Sequence, residues 1–161
     1  MNKQFPTSNA ISQDIRSKLV NTLNVALATT IDLQMQVKQA HWNIKGPQFF
    51  ARHELFDAVA ERLRATADVI AERAATLGGY AQGTVRLSAS HSTIPEYNLD
   101  AVDGRQHIQV LVSHFATYTK TLRQCLEEAE NCREPVTADM YTTALKTAEL
   151  DTWFLESHLN V

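Results

Sequence analysis

The apolar residues of this chain recur at three- and four-residue steps almost from end to end, which is the spacing of one buried stripe per helix. Leu19, Leu23, Ala26, Leu27, Thr30, Leu33, Val37, Ala40 and Ile44 trace a first helix; Ser12 can cap it, and Asp14 suits the positive end of its dipole. Gly46-Pro47 ends that helix. A second spans Arg52 to Leu77, with Phe56, Val59, Ala60, Leu63, Ala67, Ile70, Ala74 and Leu77 as its stripe, and stops at Gly78-Gly79. Residues 80 to 104 lose the pattern and hold Gly83, Pro95, Asn98 and Gly104, although Thr84 to Ala89 can form a short helix. A third long helix, Arg105 to Asn131, buries Ile108, Leu111, Val112, Phe115, Leu122 and Leu126. Arg133-Glu134-Pro135 breaks the chain before a last helix, Thr137 to about Leu159, which carries Met140, Leu145, Ala148, Leu150, Trp153 and Leu155.

Ala, Leu, Glu, Gln, Thr and Arg dominate, which favours an all-helical chain, so the expected fold class is all-α. Four long helices with one long connection between the second and third form the ferritin-like four-helix bundle, here with a short extra helix in the crossover. The 161 residues make one domain, residues 1–161, with residues 1–11 as a flexible polar lead-in. Di-iron bundles of this architecture carry Glu-x-x-His pairs inside the bundle. This chain contains no Glu-x-x-His.

Its candidate ligands lie elsewhere. His41, His53, Asp57, Asp68 and Glu72 offer imidazole nitrogen and carboxylate oxygen, the donors of a borderline or hard divalent cation. At about 100° per residue, the four on the second helix fall within an arc of roughly 100°, centred about 130° from the apolar stripe. They therefore face away from their own core. His53–Asp57 and Asp68–Glu72 are two i,i+4 pairs about 16 Å apart, too far to share one ion. A second copy of the helix, antiparallel and centred near Arg62 and Leu63, would bring each pair opposite the other, twice per dimer. A competing reading leaves these acids solvated and paired with Arg62, Arg64 and Arg73 as surface salt bridges.

A net charge of −3 gives no general attraction to nucleic acid. Cys125 and Cys132 would lie about 10 Å apart along one helix, beyond disulfide reach, and C-x6-C is a poor zinc pattern. They read as reduced, semi-buried thiols of a cytoplasmic protein. The first residues lack the apolar stretch of a signal peptide, and no run approaches the ~18 apolar residues of a membrane span, so no membrane partner is expected. His91, His107, His114 and His158 read as surface or structural histidines.

The string HWNIKGPQFFARHELFD, followed by DVIAERAATLGG, resembles the Dps family of mini-ferritins, the DNA-binding proteins from starved cells. The resemblance runs loosely over residues 12 to 160, including YNLDAVDG and WFLES. It implies a homo-oligomer, a hollow dodecamer of two-fold dimers, which oxidises iron(II) with hydrogen peroxide or dioxygen and stores iron(III) oxide. On that resemblance His41, His53 and Asp57 come from one subunit and Asp68 and Glu72 from its two-fold mate. All five positions hold the family's residue type. Trp42 becomes a possible electron donor or an interface residue. Asp139, with Glu130 and Glu134 behind it, becomes a possible iron-entry pore or a solvated acidic turn. Zinc suits the same donor set. Arg52 departs from the aliphatic residue usual before the second histidine; it could pair with Asp57 or another acid, or reach solvent. Relatives bind DNA through basic tails, whereas residues 1–12 here hold one cation, Lys3, so weak or absent DNA binding is expected.

Overall fold

A computed structural model describes residues 3–159. Five helices follow in order: α1 (Gln13–Asn43), α2 (Phe49–Thr76), α3 (Val85–His91), α4 (Gly104–Asn131) and α5 (Pro135–Glu156). Among the described residues there is no named strand, only an isolated bridge between Lys45 and Asp103. The architecture is the ferritin-like bundle with a short helix in the crossover.

Side-chain contacts fix how the helices run. Arg16 near the start of α1 donates to the Leu77 carbonyl beyond α2, while His41 near its end meets His53 at the start of α2. These two helices thus form an antiparallel hairpin. Arg123 of α4 pairs with Glu149 of α5, and Arg105 reaches the Leu159 carbonyl, which makes a second such hairpin. Thr30–Tyr118 and Thr22–Cys125 join α1 to α4, again antiparallel. So α2 and α4 point the same way, and the crossover must travel the length of the bundle to connect them. Tyr97 pins it there, its hydroxyl 2.5 Å from His107 Nδ1 of α4. Burial lowers the pKa of His107, partly opposed by Asp103 and by backbone hydrogen bonds, so the ring stays neutral and keeps this contact.

The predicted stripes of α1 and α2 are buried at every position named. The stripe of α5 needs correcting. Leu150 and Trp153 are exposed, and the buried line runs through Thr137, Tyr141, Ala144, Leu145, Ala148, Asp151 and Leu155. A buried carboxylate at Asp151 shifts the apparent stripe, because a pattern search skips it. Asp151 is tolerated there because Arg62 Nε lies 2.8 Å from its Oδ1.

Helix ends follow local chemistry. Ser12 occupies the N-cap of α1, but its hydroxyl makes no capping bond. Gly46 at φ +92° and Gln48 at φ 63° turn the chain so tightly that α2 begins at Phe49, three residues before the predicted start. Asp103 and Gln106 form a capping box on α4. Glu134 caps α5 ahead of Pro135. Residues 3–12 precede the first helix, and Phe5 N donates to the Gly78 carbonyl at 2.7 Å.

Candidate metal centre

The Gly46-Pro47 turn brings the end of α1 onto the start of α2, and with it His41 onto His53. Each ring's Nδ1 lies against the other residue's carbonyl oxygen, at 2.9 Å for His41 and 3.0 Å for His53. The rings stack with centroids 3.7 Å apart. A carbonyl only accepts, so each Nδ1 must be the donor. In the neutral form both rings therefore present the Nε2 lone pair, the form in which imidazole binds a metal. Such outer hydrogen bonds orient a ligand before any metal arrives.

Asp57 stands one turn beyond His53, with Oδ1 3.9 Å from His41 Nδ1. Lys38 of α1, one turn before His41, donates to Asp57 Oδ1 at 2.6 Å. That hydrogen bond holds the Asp57 carboxyl below its usual range. The same ammonium lies 5.8 Å from the Trp42 ring centre. Sequence reading missed Lys38. The signal available was a cation one turn before His41 on the helix that α2 packs against.

Asp68 and Glu72 are exposed on the outer face of α2, away from the His41–His53 pair along the helix. Among the described residues of one chain, no group of three His, Cys, Asp or Glu side chains gathers for a metal. His41, His53 and Asp57 lie together where the end of α1 meets the start of α2, and Asp68 and Glu72 lie towards the other end of α2.

The arginines expected to compete for these acids are engaged elsewhere. Arg62 binds Asp151, Arg64 binds Glu61 and Arg73 binds Glu134. Arg52 is also accounted for. Its guanidinium lies across Gly104 at the head of α4, where a Cβ would collide with it, rather than on Asp57. Trp42 is 59% exposed, so its indole is available to a neighbouring subunit.

The acidic turn divides. Glu134 is buried and accepts from the amides of Val136 and Thr137 and from Arg73. Burial pushes its carboxyl up, but the bonds from Thr137 and Arg73 outweigh it and leave the pKa lowered. Glu134 thereby caps α5 and is held by Arg73, whereas the pore reading placed it behind Asp139. Asp139 and Glu130 remain exposed. Both cysteines are free thiols, and burial raises Cys125 to about 11, so it is inert at neutral pH.

The sequence matches the ferritin-like domain family over residues 20–161. It is 35% identical over 157 residues to a DNA protection during starvation protein of Agrobacterium fabrum, covering 98% of this chain and 97% of that one. This chain is a Dps-family protein. Its fold is similar to two solved Dps structures from Streptomyces coelicolor. DpsA14 superposes with a TM-score of 0.93 at 31% identity, covering 99% of this chain and 95% of that one. DpsC gives 0.92 at 29% identity, covering 100% and 93%. No described helix is long and apolar enough to cross a membrane.

Proposed function

We propose that this Dps protein is a ferroxidase and iron store, with iron(II) as substrate at two equivalent sites across a two-fold subunit seam. The observation that carries this is the reciprocal clamp of His41 and His53 on each other's carbonyls, which leaves both Nε2 lone pairs for a metal, with Asp57 one turn beyond His53. The exposed Asp68 and Glu72 of a second chain complete the donor set when α2 pairs with its antiparallel copy. Imidazoles hold iron(II), and the carboxylates favour iron(III) once it forms. Hydrogen peroxide accepts two electrons. If two neighbouring iron(II) ions supply one each, the peroxide is reduced without release of a hydroxyl radical. A dodecameric shell would retain the oxidised product, and exposed Asp139 and Glu130 are the candidates for drawing cations towards an entry pore.

The test is anaerobic iron(II) loading, one addition of peroxide, and sizing chromatography with iron measured in the eluate. Iron(III) travelling with a particle near twelve subunits is the expected result. Asp68→Asn with Glu72→Gln should lower the initial oxidation rate at least ~100-fold while leaving the particle size unchanged. An unchanged rate would remove the proposed ligands. Tight stoichiometric zinc with slow iron oxidation would favour a structural zinc site at the same residues.

DNA protection names several relatives, but the electrostatics here argue against strong DNA contact. Lys3 lies 5.2 Å from the Phe5 ring centre and 6.0 Å from that of Tyr80, on a segment hydrogen-bonded to the end of α2. It is drawn onto the protein instead of extending towards phosphates. Little binding is expected at physiological salt, and a gel shift at low and moderate salt checks it. Robust retention at moderate salt would overturn that expectation.

A further inference from the structure

Besides the ligands, the exposed face of α2 carries a charged pair at its centre. Glu61 and Arg64 side chains are 65% and 61% exposed and bind each other, with Arg64 Nε 2.9 Å from Oε2 and Nη2 2.6 Å from Oε1. At about 100° per residue both fall inside the arc that holds His53, Asp57, Asp68 and Glu72. Asp57 acts electrostatically on Glu61, and Asp68 on Arg64, so the charges form one continuous row.

That row is symmetric in position and complementary at its middle. His53, Asp57 and Glu61 climb in four-residue steps to a midpoint between Arg62 and Leu63, and Arg64, Asp68 and Glu72 descend from it in the same steps. An antiparallel second copy about this midpoint opposes His53 to Glu72, Asp57 to Asp68, and Glu61 to Arg64. The outer two oppositions assemble metal ligands. The inner one sets a carboxylate against a guanidinium, twice. A slip of one turn in one direction would oppose Glu61 to Asp68 and Asp57 to Glu72, four acids at once on each side of the seam. A slip the other way would set Arg64 against Asp57 and Asp68 against His53, but would leave Glu61 facing Ala60 and Glu72 facing Phe49.

We propose that Glu61 and Arg64 exchange their intrahelical partners for Arg64 and Glu61 of the partner subunit, forming paired salt bridges on the two-fold axis that set the register of the metal half-sites. This rests on the two-fold reading given above. As an exposed i,i+3 pair the two side chains contribute little. Between packed helices, the same charges select orientation and penalise mismatched partners.

Mixing two charge-reversed chains tests it. E61R carries two arginines at the centre of the row and R64E carries two glutamates, so neither can form the pair within its own chain or with its own copy. Together they can form it only between chains. Native mass spectrometry of each variant alone, and of the two mixed after dissociation, reads the outcome, with wild type as reference. The expected result is homodimers weakened at least ~10-fold and heterodimers in at least ~10-fold excess over the statistical 1:2:1 mixture. The double variant E61R/R64E should dimerise like wild type, which shows that the reversed charges are compatible with folding. Variants that each dimerise like wild type, or that mix at 1:2:1, would overturn the inter-subunit pairing and leave the two-fold site standing. Wild-type protein that remains monomeric would remove the two-fold reading itself, and this pairing with it.

Discussion

At the scale of single residues, the site is defined as much by what holds the ligands as by the ligands. Two backbone carbonyls set the tautomers of His41 and His53, while an ammonium occupies one oxygen of Asp57. A divalent cation arriving at Asp57 would compete with Lys38 for the carboxylate and be repelled by its charge. Lys38→Met removes both penalties and keeps an apolar stem near Trp42. The expected effect is tighter metal binding, by no more than about fivefold because the pair is solvent-exposed. An anaerobic cobalt(II) titration followed by visible absorbance measures it. Weaker binding would instead show that Lys38 positions Asp57. The clamp was not legible in the sequence, because it arises where α1 crosses α2 and leaves no periodic trace; Lys38 was marked only by its place one turn before His41. The five candidate ligands were legible, because four lie on one face of one helix and the fifth lies just before the turn that leads to it.

At the scale of helices, legibility followed the completeness of the apolar stripe. The two N-terminal helices present uninterrupted stripes, and their cores were read correctly. The last helix spends one buried position on Asp151, so Leu150 and Trp153 were mistaken for core and Tyr141 was overlooked. The start of α2 was set too late because left-handed Gln48, a residue with no special turn signature, begins the helix early. Asp151 makes its own prediction. Burial raises its pKa against the opposing effect of Arg62, and its Oδ2 has no hydrogen-bond partner. Arg62→Met would leave a carboxylate in the bundle with nothing to neutralise it, at a cost of about 3 kcal/mol, the low end for a broken buried pair because Arg62 itself reaches solvent. Arg62→Met with Asp151→Leu should recover most of that loss, since a well-packed apolar pair can replace a buried ion pair. Urea unfolding of the metal-free protein gives both values, and additive losses would show that the two side chains act independently.

At the scale of the whole molecule, the proposed chemistry depends on assembly. The bundle buries its apolar stripes within one subunit and leaves Asp57, Asp68 and Glu72 of α2 exposed, so on the proposed reading one chain holds only half-sites. That division can be tested by complementation. Let one variant lack the histidine half (His53→Ala, Asp57→Asn) and another lack the acidic half (Asp68→Asn, Glu72→Gln). Each alone makes two damaged sites per dimer. A mixed dimer pairs the two damaged halves at one site and the two intact halves at the other, restoring one site of two. If the subunits mix at random, half the dimers are mixed and about one quarter of all sites are whole. Stopped-flow iron(II) oxidation of the co-assembled variants should therefore recover to about 25% of wild type. A site completed within one chain would stay inactive in the mixture, because no chain carries both halves. The fraction recovered thus reports where the site is built, independently of which metal or oxidant is used.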